Sequence, residues 1–165
     1  MASASSVGFQ HIADDIVRVS AWGLTQNFIE SSRLLLVGSS VGGTGVLLAA
    51  PRLQEMLRGV LTFGAAGAGV HSADAMDVIR RNCQTLRMPM FLTTSERDPF
   101  DGANNARTWG QGLGHVTTRV IAGAEHGMAI YYDVRTEVLR FVRATLGRAP
   151  ARRLPVRSTV TRRRR

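Results

Sequence analysis

The sequence contains no lysine, one cysteine and few aromatic residues, which make up 6% of the chain. The single cysteine, Cys83, excludes an internal disulfide and is compatible with a reducing compartment. The start of the chain has neither a basic segment nor an apolar segment, so no secretory signal is recognisable and we expect a cytoplasmic protein. With 165 residues, 44% of them hydrophobic, the chain is expected to fold as one domain around a sizeable core.

The chain also lacks an apolar run that is uniform enough to span a membrane. The segment Leu34–Ala50 is uncharged over 17 residues, but four glycines interrupt it, and a transmembrane helix needs roughly 17 to 25 apolar residues. A strand, a glycine-rich turn and a helix explain this composition better. The apolar run Leu34–Val37 suits a strand buried on both faces of a parallel sheet. The following stretch Thr44–Ala50 suits a helix that Pro51 helps to close.

The net charge of +9 is concentrated at the carboxyl end of the chain. Residues 148–165 hold eight arginines and no acidic residue, so they account for all but one of the nine charges. We expect residues 1–147 to form the folded domain and residues 148–165 to form a disordered basic extension. Arginines can bind the phosphates of nucleic acid or an anionic membrane, but no aromatic residue lies among these arginines to stack on bases. The sequence therefore argues against nucleic acid as a partner.

Segments with strand and helix periodicity alternate along the chain, which is typical of parallel strands joined by helices. The predicted strands are Leu34–Val37, Gly59–Phe63, Met88–Thr94 and Val116–Ile121. The first predicted helix is Asp14–Phe28, with Ile16, Val19 and Gly23 on its inner face and Ile12 one turn earlier. The other predicted helices are Thr44–Ala50, a helix capped by Ser72 with Ala75, Met76, Ile79 and Cys83 on its inner face, Ala103–Gln111, and Met128–Leu146. We therefore predict an α/β fold, a three-layer sandwich in which a short, mainly parallel sheet of about four strands is flanked by helices.

A glycine-rich turn is predicted between the first strand and the helix that follows it. Its sequence, Gly38-Ser39-Ser40-Val41-Gly42, fits G-x-S-x-G, the pattern that presents a nucleophilic serine between a strand and a helix. Ser40 is the predicted nucleophile, with Ser39 as the alternative, and the two flanking glycines would leave room where a side chain would collide with a neighbouring element. The backbone N–H of Val41 would face the oxyanion. An ordinary glycine-rich turn is the alternative interpretation of the whole stretch.

The same turn does not fit a phosphate-binding loop. The Walker pattern G-x-x-x-x-G-K-[ST] finds its glycines at Gly38 and Gly43, but Thr44 occupies the lysine position. The dinucleotide pattern G-x-G-x-x-G is also absent in register from this segment. A nucleotide cofactor is therefore not expected at this turn.

Two later loops contain the partners that a serine nucleophile requires. Asp98 follows the third predicted strand in "SERDPFDG", and His126 follows the fourth in "AGAEHGMA". Asp98 lies 58 residues after Ser40, and His126 lies 28 residues after Asp98, which leaves room for strand and helix units between them. Glu96 and Asp101 flank Asp98 and remain alternative acids.

With three motifs in this order, the chain resembles the carboxyl-terminal half of an α/β hydrolase. The resemblance covers about residues 12–146 and rests on "VGSSVGG", "LTTSERDPF" and "AGAEHG". It implies that Ser40 is the nucleophile, His126 the general base and then acid, and Asp98 the group that orients the imidazole. Members of this family mostly cleave esters and related acyl compounds through an acyl-enzyme, without metal or cofactor. A small acyl or ester substrate is the implied partner.

The resemblance also implies a departure from the family. The usual α/β hydrolase has further strands before the nucleophile strand, and a loop after one of them supplies a second oxyanion N–H, so Val41 would be the one donor available here. We therefore expect weak ester hydrolysis by the isolated chain. The alternative is a non-catalytic hydrolase remnant or a binding module with a basic, anion-binding tail. The free side of Leu34–Val37 would be an apolar edge, through which we expect self-association or binding of a partner.

Other reactive or aromatic side chains have weaker claims to a site. His115 precedes the fourth predicted strand, at the wrong end of the sheet for catalysis, and Cys83 lies in a helical run without a glycine-framed turn. His11 and His71 have no motif around them. The aromatic side chains in the predicted helices are expected to pack rather than to bind substrate, namely Trp22, Trp109, Tyr131 and Tyr132.

Overall fold

The computed structural model describes residues 4–66, 73–100 and 102–147. The strands are β1 (Leu34–Ser39), β2 (Leu57–Phe63), β3 (Met90–Ser95) and β4 (Val116–Ile121). The helices are α1 (Ala4–Leu24), α2 (Val41–Leu53), α3 (Ala73–Thr85), α4 (Gly102–Gly110) and α5 (Tyr131–Leu146), the last preceded by a 3₁₀ turn over Gly127–Ile130. The four strands form one sheet in the order β1-β2-β3-β4, and each neighbouring pair is parallel.

Two separate apolar clusters, one on each face of the sheet, make the fold a three-layer sandwich. Successive residues of a strand point to opposite faces. Val60 and Leu61 of β2 accordingly belong to different clusters, as do Met90 and Phe91 of β3. The first cluster packs helices α1 to α4 against the sheet, and the second packs α5 against it. The predicted α/β sandwich of about four strands is therefore confirmed.

Helix α1 begins well before the predicted start at Asp14 and ends at Leu24 rather than at Phe28. The predicted start depended on apolar periodicity, which the small residues at the beginning of the helix do not show. The end coincides with Thr25, whose backbone N–H and side-chain hydroxyl both donate to the carbonyl of Trp22. This arrangement satisfies a carbonyl of the last turn and directs the chain out of the helix.

Helix α1 packs across α2 at a glycine. A Cβ on Gly45 would lie 2.6 Å from a methyl group of Ile12 and 3.0 Å from one of Ile16. Both isoleucines therefore lie on the inner face, as predicted. Val19, predicted on the same face, is 65% exposed, so that part of the prediction is wrong. The inner face continues instead through Val17, which packs against the first cluster.

Strand β1 is the outer strand of the described sheet, and its two faces are unequally buried. Leu36 is buried, whereas Val37 is 51% exposed. The prediction that this strand is buried on both faces is therefore wrong at Val37. Within the described ranges β1 pairs on one side alone, with β2, so it has fewer neighbours than the inner strands.

Helix α2 continues through Pro51 to Leu53, beyond the predicted end at Ala50. Because proline has no N–H, the carbonyl four residues earlier, that of Leu47, loses its usual donor within the helix. The side-chain amide of Asn82 in α3 donates to this carbonyl at 3.1 Å. A neighbouring helix thus supplies the hydrogen bond that the proline removes.

The other predicted elements agree with the structure to within a few residues. Strand β4 has the predicted bounds, whereas β2 begins earlier and β3 begins later than predicted, after Pro89. Ile79 and Cys83 of α3 are buried as predicted. Ser72, the predicted cap of α3, lies outside the described residues.

The end of α5 is joined to the segment before β1. Arg33 donates from Nε to the carbonyl of Leu146 at 3.0 Å and from Nη2 to that of Gly147 at 2.8 Å. Carbonyl groups at a helix end have no partner within the helix, so these bonds stabilise the last turn. The predicted basic extension, residues 148–165, lies outside the described ranges.

The parallel sheet brings three loops to one edge. The carboxyl ends of β1, β3 and β4 lead directly into the loops that hold Ser40, Asp98 and His126. In an open parallel sheet this edge is where ligands bind. None of the helices within the described ranges combines the length and apolar character needed to cross a membrane.

Candidate active site

Ser40 occupies a strained turn between β1 and α2. Its backbone angles are φ 52° and ψ −122°, and it is the one described non-glycine residue with positive φ. Residues other than glycine rarely adopt this backbone conformation, which persists where surrounding hydrogen bonds fix it. The N–H of Ser40 donates to the carbonyl of Phe63 at 2.9 Å, and its own carbonyl accepts from Thr44 and Ala66 at 3.2 and 3.4 Å. The turn is therefore held from both β2 and α2.

The glycines of the turn differ in how closely they are packed. A Cβ on Gly38 would lie 2.6 Å from the carbonyl carbon of Gly42 and 2.8 Å from Cα of Gly43. A Cβ on Gly43 would lie 3.0 Å from Ala65. Gly42 has nothing within 4 Å of such an atom. The prediction of a close approach is therefore right for Gly38 and wrong for Gly42, because Gly43 is the glycine that faces the neighbouring loop.

His126 lies between the other two predicted side chains. Its Nε2 is 2.7 Å from Oγ of Ser40, and its Nδ1 is 2.9 Å from Oδ2 of Asp98. The next residue, Gly127, has φ 60°, and a Cβ there would lie 2.9 Å from Oγ of Ser39. A glycine thus allows the His126 loop to approach the serine turn closely. The structure brings the three predicted side chains into one hydrogen-bonded series.

The side chain of Asp98 is fully buried, with an exposure of 0%, whereas the side chain of His126 is 21% exposed. Besides Nδ1 of His126, the carboxylate accepts the backbone N–H of Phe100 at 2.9 Å and the hydroxyl of Thr94 at 3.4 Å. A Cβ on Gly102 would lie 3.0 Å from the carboxyl carbon. Buried charge requires such partners. These contacts fix the carboxylate on the loop after β3.

Two residues at the site were not identified from the sequence. Gly64 directly follows β2 with φ 51°, and a Cβ there would lie 3.1 Å from both Oδ2 of Asp98 and Nδ1 of His126. The ring of Phe100 packs on the imidazole of His126, with 4.6 Å between ring centroids and 56° between planes. Gly64 could have been found from the sequence, because it is a glycine directly after a predicted strand. The Phe100 contact could not, because it depends on the meeting of two loops that are distant in the chain.

Val41 is the first residue of α2. The first N–H groups of a helix have no acceptor within it, so the amide of Val41 is available next to the hydroxyl of Ser40. The Val41 side chain is 40% exposed. Ser39 ends β1, and its hydroxyl oxygen lies against Gly127, whereas Ser40 contacts the imidazole.

The alternative acids and histidines lie away from the Ser40–His126–Asp98 series or outside the described residues. Glu96 is exposed beside the buried Asp98, and Asp101 and His71 lie outside the described residues. His11 is exposed on α1. His115 lies before β4, at the opposite end of the sheet, where its Nε2 is 3.0 Å from the carbonyl of Cys83.

Of the remaining candidate side chains, Cys83, Trp109 and Tyr131 are packed, whereas Trp22 and Tyr132 are exposed, so the expectation of packing is wrong at Tyr132. Burial raises the pKa of the Cys83 thiol to about 12, so it is protonated at neutral pH. Trp109 is buried, as expected of a core residue, whereas Trp22 is 62% exposed. Tyr131 packs edge-on against Phe63, with 6.1 Å between ring centroids. Within the described ranges, no histidine, cysteine or acidic side chains form a group that could hold a metal ion.

No protein-family model and no curated protein sequence matches the chain. Solved structures match it over most of its length. A predicted CIB-like hydrolase from Thermoplasma acidophilum is 16% identical with a TM-score of 0.61, covering 82% of this chain and 60% of the hydrolase. An S-formylglutathione hydrolase from Agrobacterium tumefaciens is 18% identical with a TM-score of 0.58, covering 79% and 55%. The esterase domain of a Rhodothermus marinus protein is 20% identical with a TM-score of 0.62, covering 82% and 69%.

These likenesses show that the chain has an α/β-hydrolase-like fold. An MGS-MChE2 α/β hydrolase from a lagoon-sediment metagenome matches at a TM-score of 0.61, with 12% identity and coverage of 82% of this chain and 69% of the enzyme. At such identities the likeness shows the fold alone. The chain spans less than two thirds of the length of the first two proteins, at 60% and 55%.

Proposed function

We propose that the chain is a serine hydrolase that cleaves an ester or a related small acyl substrate through an acyl-enzyme. One observation carries this proposal, the hydrogen-bonded series from Ser40 through His126 to the buried Asp98. A nucleophile, a base and a group that orients the base are the parts that acyl transfer requires. The likeness to hydrolases and esterases in fold supports the same reaction class.

In the proposed first step, Oγ of Ser40 attacks the carbonyl carbon of the ester while Nε2 of His126 takes the hydroxyl proton. The carbonyl oxygen becomes an oxyanion, which the N–H of Val41 stabilises. The bond to the leaving oxygen then breaks, and Nε2 gives its proton to that oxygen, so the alcohol departs and Ser40 carries the acyl group. Water repeats the sequence, with His126 as base and then acid, and releases the carboxylic acid.

Asp98 has a positioning role in this scheme. By accepting the N–H of His126 Nδ1, the carboxylate leaves Nε2 unprotonated and directed at Ser40, and it stabilises the imidazolium that forms. The bonds from Phe100 and Thr94 keep the carboxylate in place while the proton moves.

The proposed rate is low. The scheme names one oxyanion donor, Val41, and removing one donor from such a site lowers kcat by about 10² to 10³. We therefore propose slow turnover of simple esters by this chain.

We place the folded domain within residues 1–147. We also place the protein in the cytoplasm, because the single buried Cys83 suits a reducing compartment.

The test is labelling by a fluorophosphonate together with hydrolysis of p-nitrophenyl acetate, measured for the unmodified chain, Ser40→Ala and the matched control Ser39→Ala. We expect Ser40→Ala to abolish labelling and to lower turnover by about 10³ or more, and Ser39→Ala to retain both. Labelling that persists in Ser40→Ala, or that is lost only in Ser39→Ala, would contradict the assignment. A folded chain without labelling or turnover would favour the alternative, a non-catalytic α/β domain.

A further inference from the structure

Two large apolar side chains near His126 are partly exposed, one packed on its ring and the other close to it in the chain. The ring of Phe100 lies 4.6 Å from the imidazole, centroid to centroid, and remains 38% exposed. Met128, two residues beyond His126, is 53% exposed. We call this pair the apolar rim. An exposed apolar group next to a polar site is a candidate contact for a ligand.

The backbone on both sides of the rim is fixed. The backbone N–H of Phe100 donates to Oδ1 of Asp98 at 2.9 Å, so the residue that carries the ring is bonded to the same carboxylate that holds the imidazole. Met128 follows Gly127, at which a Cβ would lie 2.9 Å from Oγ of Ser39 and 4.0 Å from Cβ of Ser40. The rim is therefore presented by two turns that are themselves part of the Ser40–His126–Asp98 arrangement.

The chemistry of ester cleavage decides which part of a substrate meets the rim. Nε2 of His126 takes the proton of Ser40 and must return it to the leaving oxygen, so that oxygen lies within hydrogen-bond reach of Nε2 in the transition state. The carbon atoms attached to the leaving oxygen then extend over groups that flank His126. Phe100, packed on the imidazole, is such a group, and Met128 follows His126 by two residues, whereas Val41 adjoins the oxyanion.

We propose that Phe100 and Met128 bind the alcohol part of the substrate, and that this part is an uncharged apolar group of about the size of a benzyl group. The inference rests on the proposed hydrolase function. Anionic alcohols are disfavoured, because Glu96, Arg97 and Glu125 are exposed on the two loops that hold the rim and its imidazole and together carry one net negative charge. The products of this reaction are an apolar alcohol and a carboxylic acid.

The kinetic test holds the acyl group constant and varies the alcohol. Values of kcat/KM are measured for benzyl acetate, methyl acetate and the anionic 3-acetoxypropanoate. We expect Phe100→Ala to lower the benzyl-to-methyl ratio by about two- to twelvefold, the range that an aromatic contact supplies, and Met128→Ala to lower it in the same direction. The ratio cancels any general loss caused by a displaced His126. Phe100→Leu, which keeps an apolar side chain, should retain part of the preference.

The matched control is Phe28→Ala. Phe28 is 74% exposed but precedes the amino end of β1, whereas Ser40 follows its carboxyl end, so the ratio should not change. A preference for 3-acetoxypropanoate over methyl acetate, or a benzyl-to-methyl ratio that both rim variants leave unchanged, would overturn the rim proposal. Labelling of Ser40 in the same samples would show that the proposed function survives that result.

A binding measurement keeps the rim proposal testable without turnover. The Ser40→Ala chain, labelled with ¹³C in the methyl groups of its six methionines, is titrated with benzyl acetate and with methyl acetate. We expect a saturable shift of the Met128 signal with benzyl acetate, a weaker response to methyl acetate, and loss of the shift when Phe100→Ala is added. Equal responses to both esters, or none at Met128, would contradict the proposal whether or not the chain hydrolyses esters.

Discussion

At the residue scale, Ser40 combines a strained backbone with the hydroxyl that contacts His126. Positive φ is unfavourable for serine because its Cβ crowds the following carbonyl, and such a residue costs on the order of 1 to 3 kcal/mol. The bonds to Phe63, Thr44 and Ala66 hold it in this conformation. Strain maintained by neighbouring bonds is common where a side chain must be presented in a fixed direction.

The strain at Ser40 can be measured by comparing two substitutions. Ser40→Gly removes Cβ as well as the hydroxyl, whereas Ser40→Ala removes the hydroxyl alone. We expect Ser40→Gly to have the larger free energy of unfolding in urea, by about 1 kcal/mol, because glycine adopts positive φ readily. Ser39 belongs to β1, so Ser39→Gly should be less stable than Ser39→Ala. Equal stability of the two Ser40 variants would mean that the turn is not strained.

Asp98 offers a second prediction at this scale. Asp98→Asn preserves the shape of the buried side chain but turns an amide toward the imidazole, which favours the tautomer with its proton on Nε2. We expect kcat for p-nitrophenyl acetate to fall by about 10⁴, with an unchanged circular dichroism spectrum. Glu96→Gln, on the exposed neighbour, should keep the activity of the unmodified chain. Comparable losses in both variants would show that Asp98 is not the acid of this site.

At the element scale, the contact between the end of β1 and the start of α2 requires one glycine of the G-x-S-x-G pattern and not the other. We expect Gly38→Ala to destabilise the fold by about 1 to 3 kcal/mol through overpacking, since its Cβ would meet the backbone of Gly42 and Gly43. Gly42→Ala lies in open space on a helix, so it should be neutral or stabilising by up to about 1 kcal/mol. Urea unfolding measures both, and the reverse ranking would contradict the described packing.

Helices and strands with a clear local hydrophobic pattern were predictable from the sequence, whereas boundaries that depend on distant contacts were not. The alternation of strands and helices gave the parallel sheet, and β4 has its predicted bounds. The continuation of α2 through Pro51 depends on Asn82, a residue of the next helix. The early start of α1 lies among small residues without apolar periodicity. Hydrophobic periodicity reports on contacts made along one helix or strand, whereas these boundaries depend on contacts between different helices or on residues without periodicity.

The same distinction applies to the site. Ser40, Asp98 and His126 could be named because each follows an apolar strand in a recognisable loop, and parallel strands bring such loops to one edge. The roles of Gly64 and Phe100 could not be read, since their contacts join loops from different strands. Catalysis by the three named residues stays a prediction that labelling and turnover decide.

At the scale of the whole molecule, β1 has one edge that no described strand pairs with. Backbone N–H and C=O groups along such an edge are free to bond another chain. The side chains near it are apolar, since Val37 is 51% exposed, and Phe28 and Ile29 in the preceding segment are 74% and 39% exposed. Natural edge strands are more often protected by charge, bulges or proline. The combination favours association.

A second copy of the chain would satisfy this edge if a two-fold axis paired the two β1 strands antiparallel. We expect the apparent mass in size-exclusion chromatography with light scattering to rise with protein concentration. Val37→Lys should shift the chain toward monomer, because a charged side chain on an edge strand opposes pairing. Val19→Lys, which changes a valine on α1 that is 65% exposed, should leave the association unchanged. A monomer at every concentration, or equal effects of the two lysines, would mean that the β1 edge does not pair with itself.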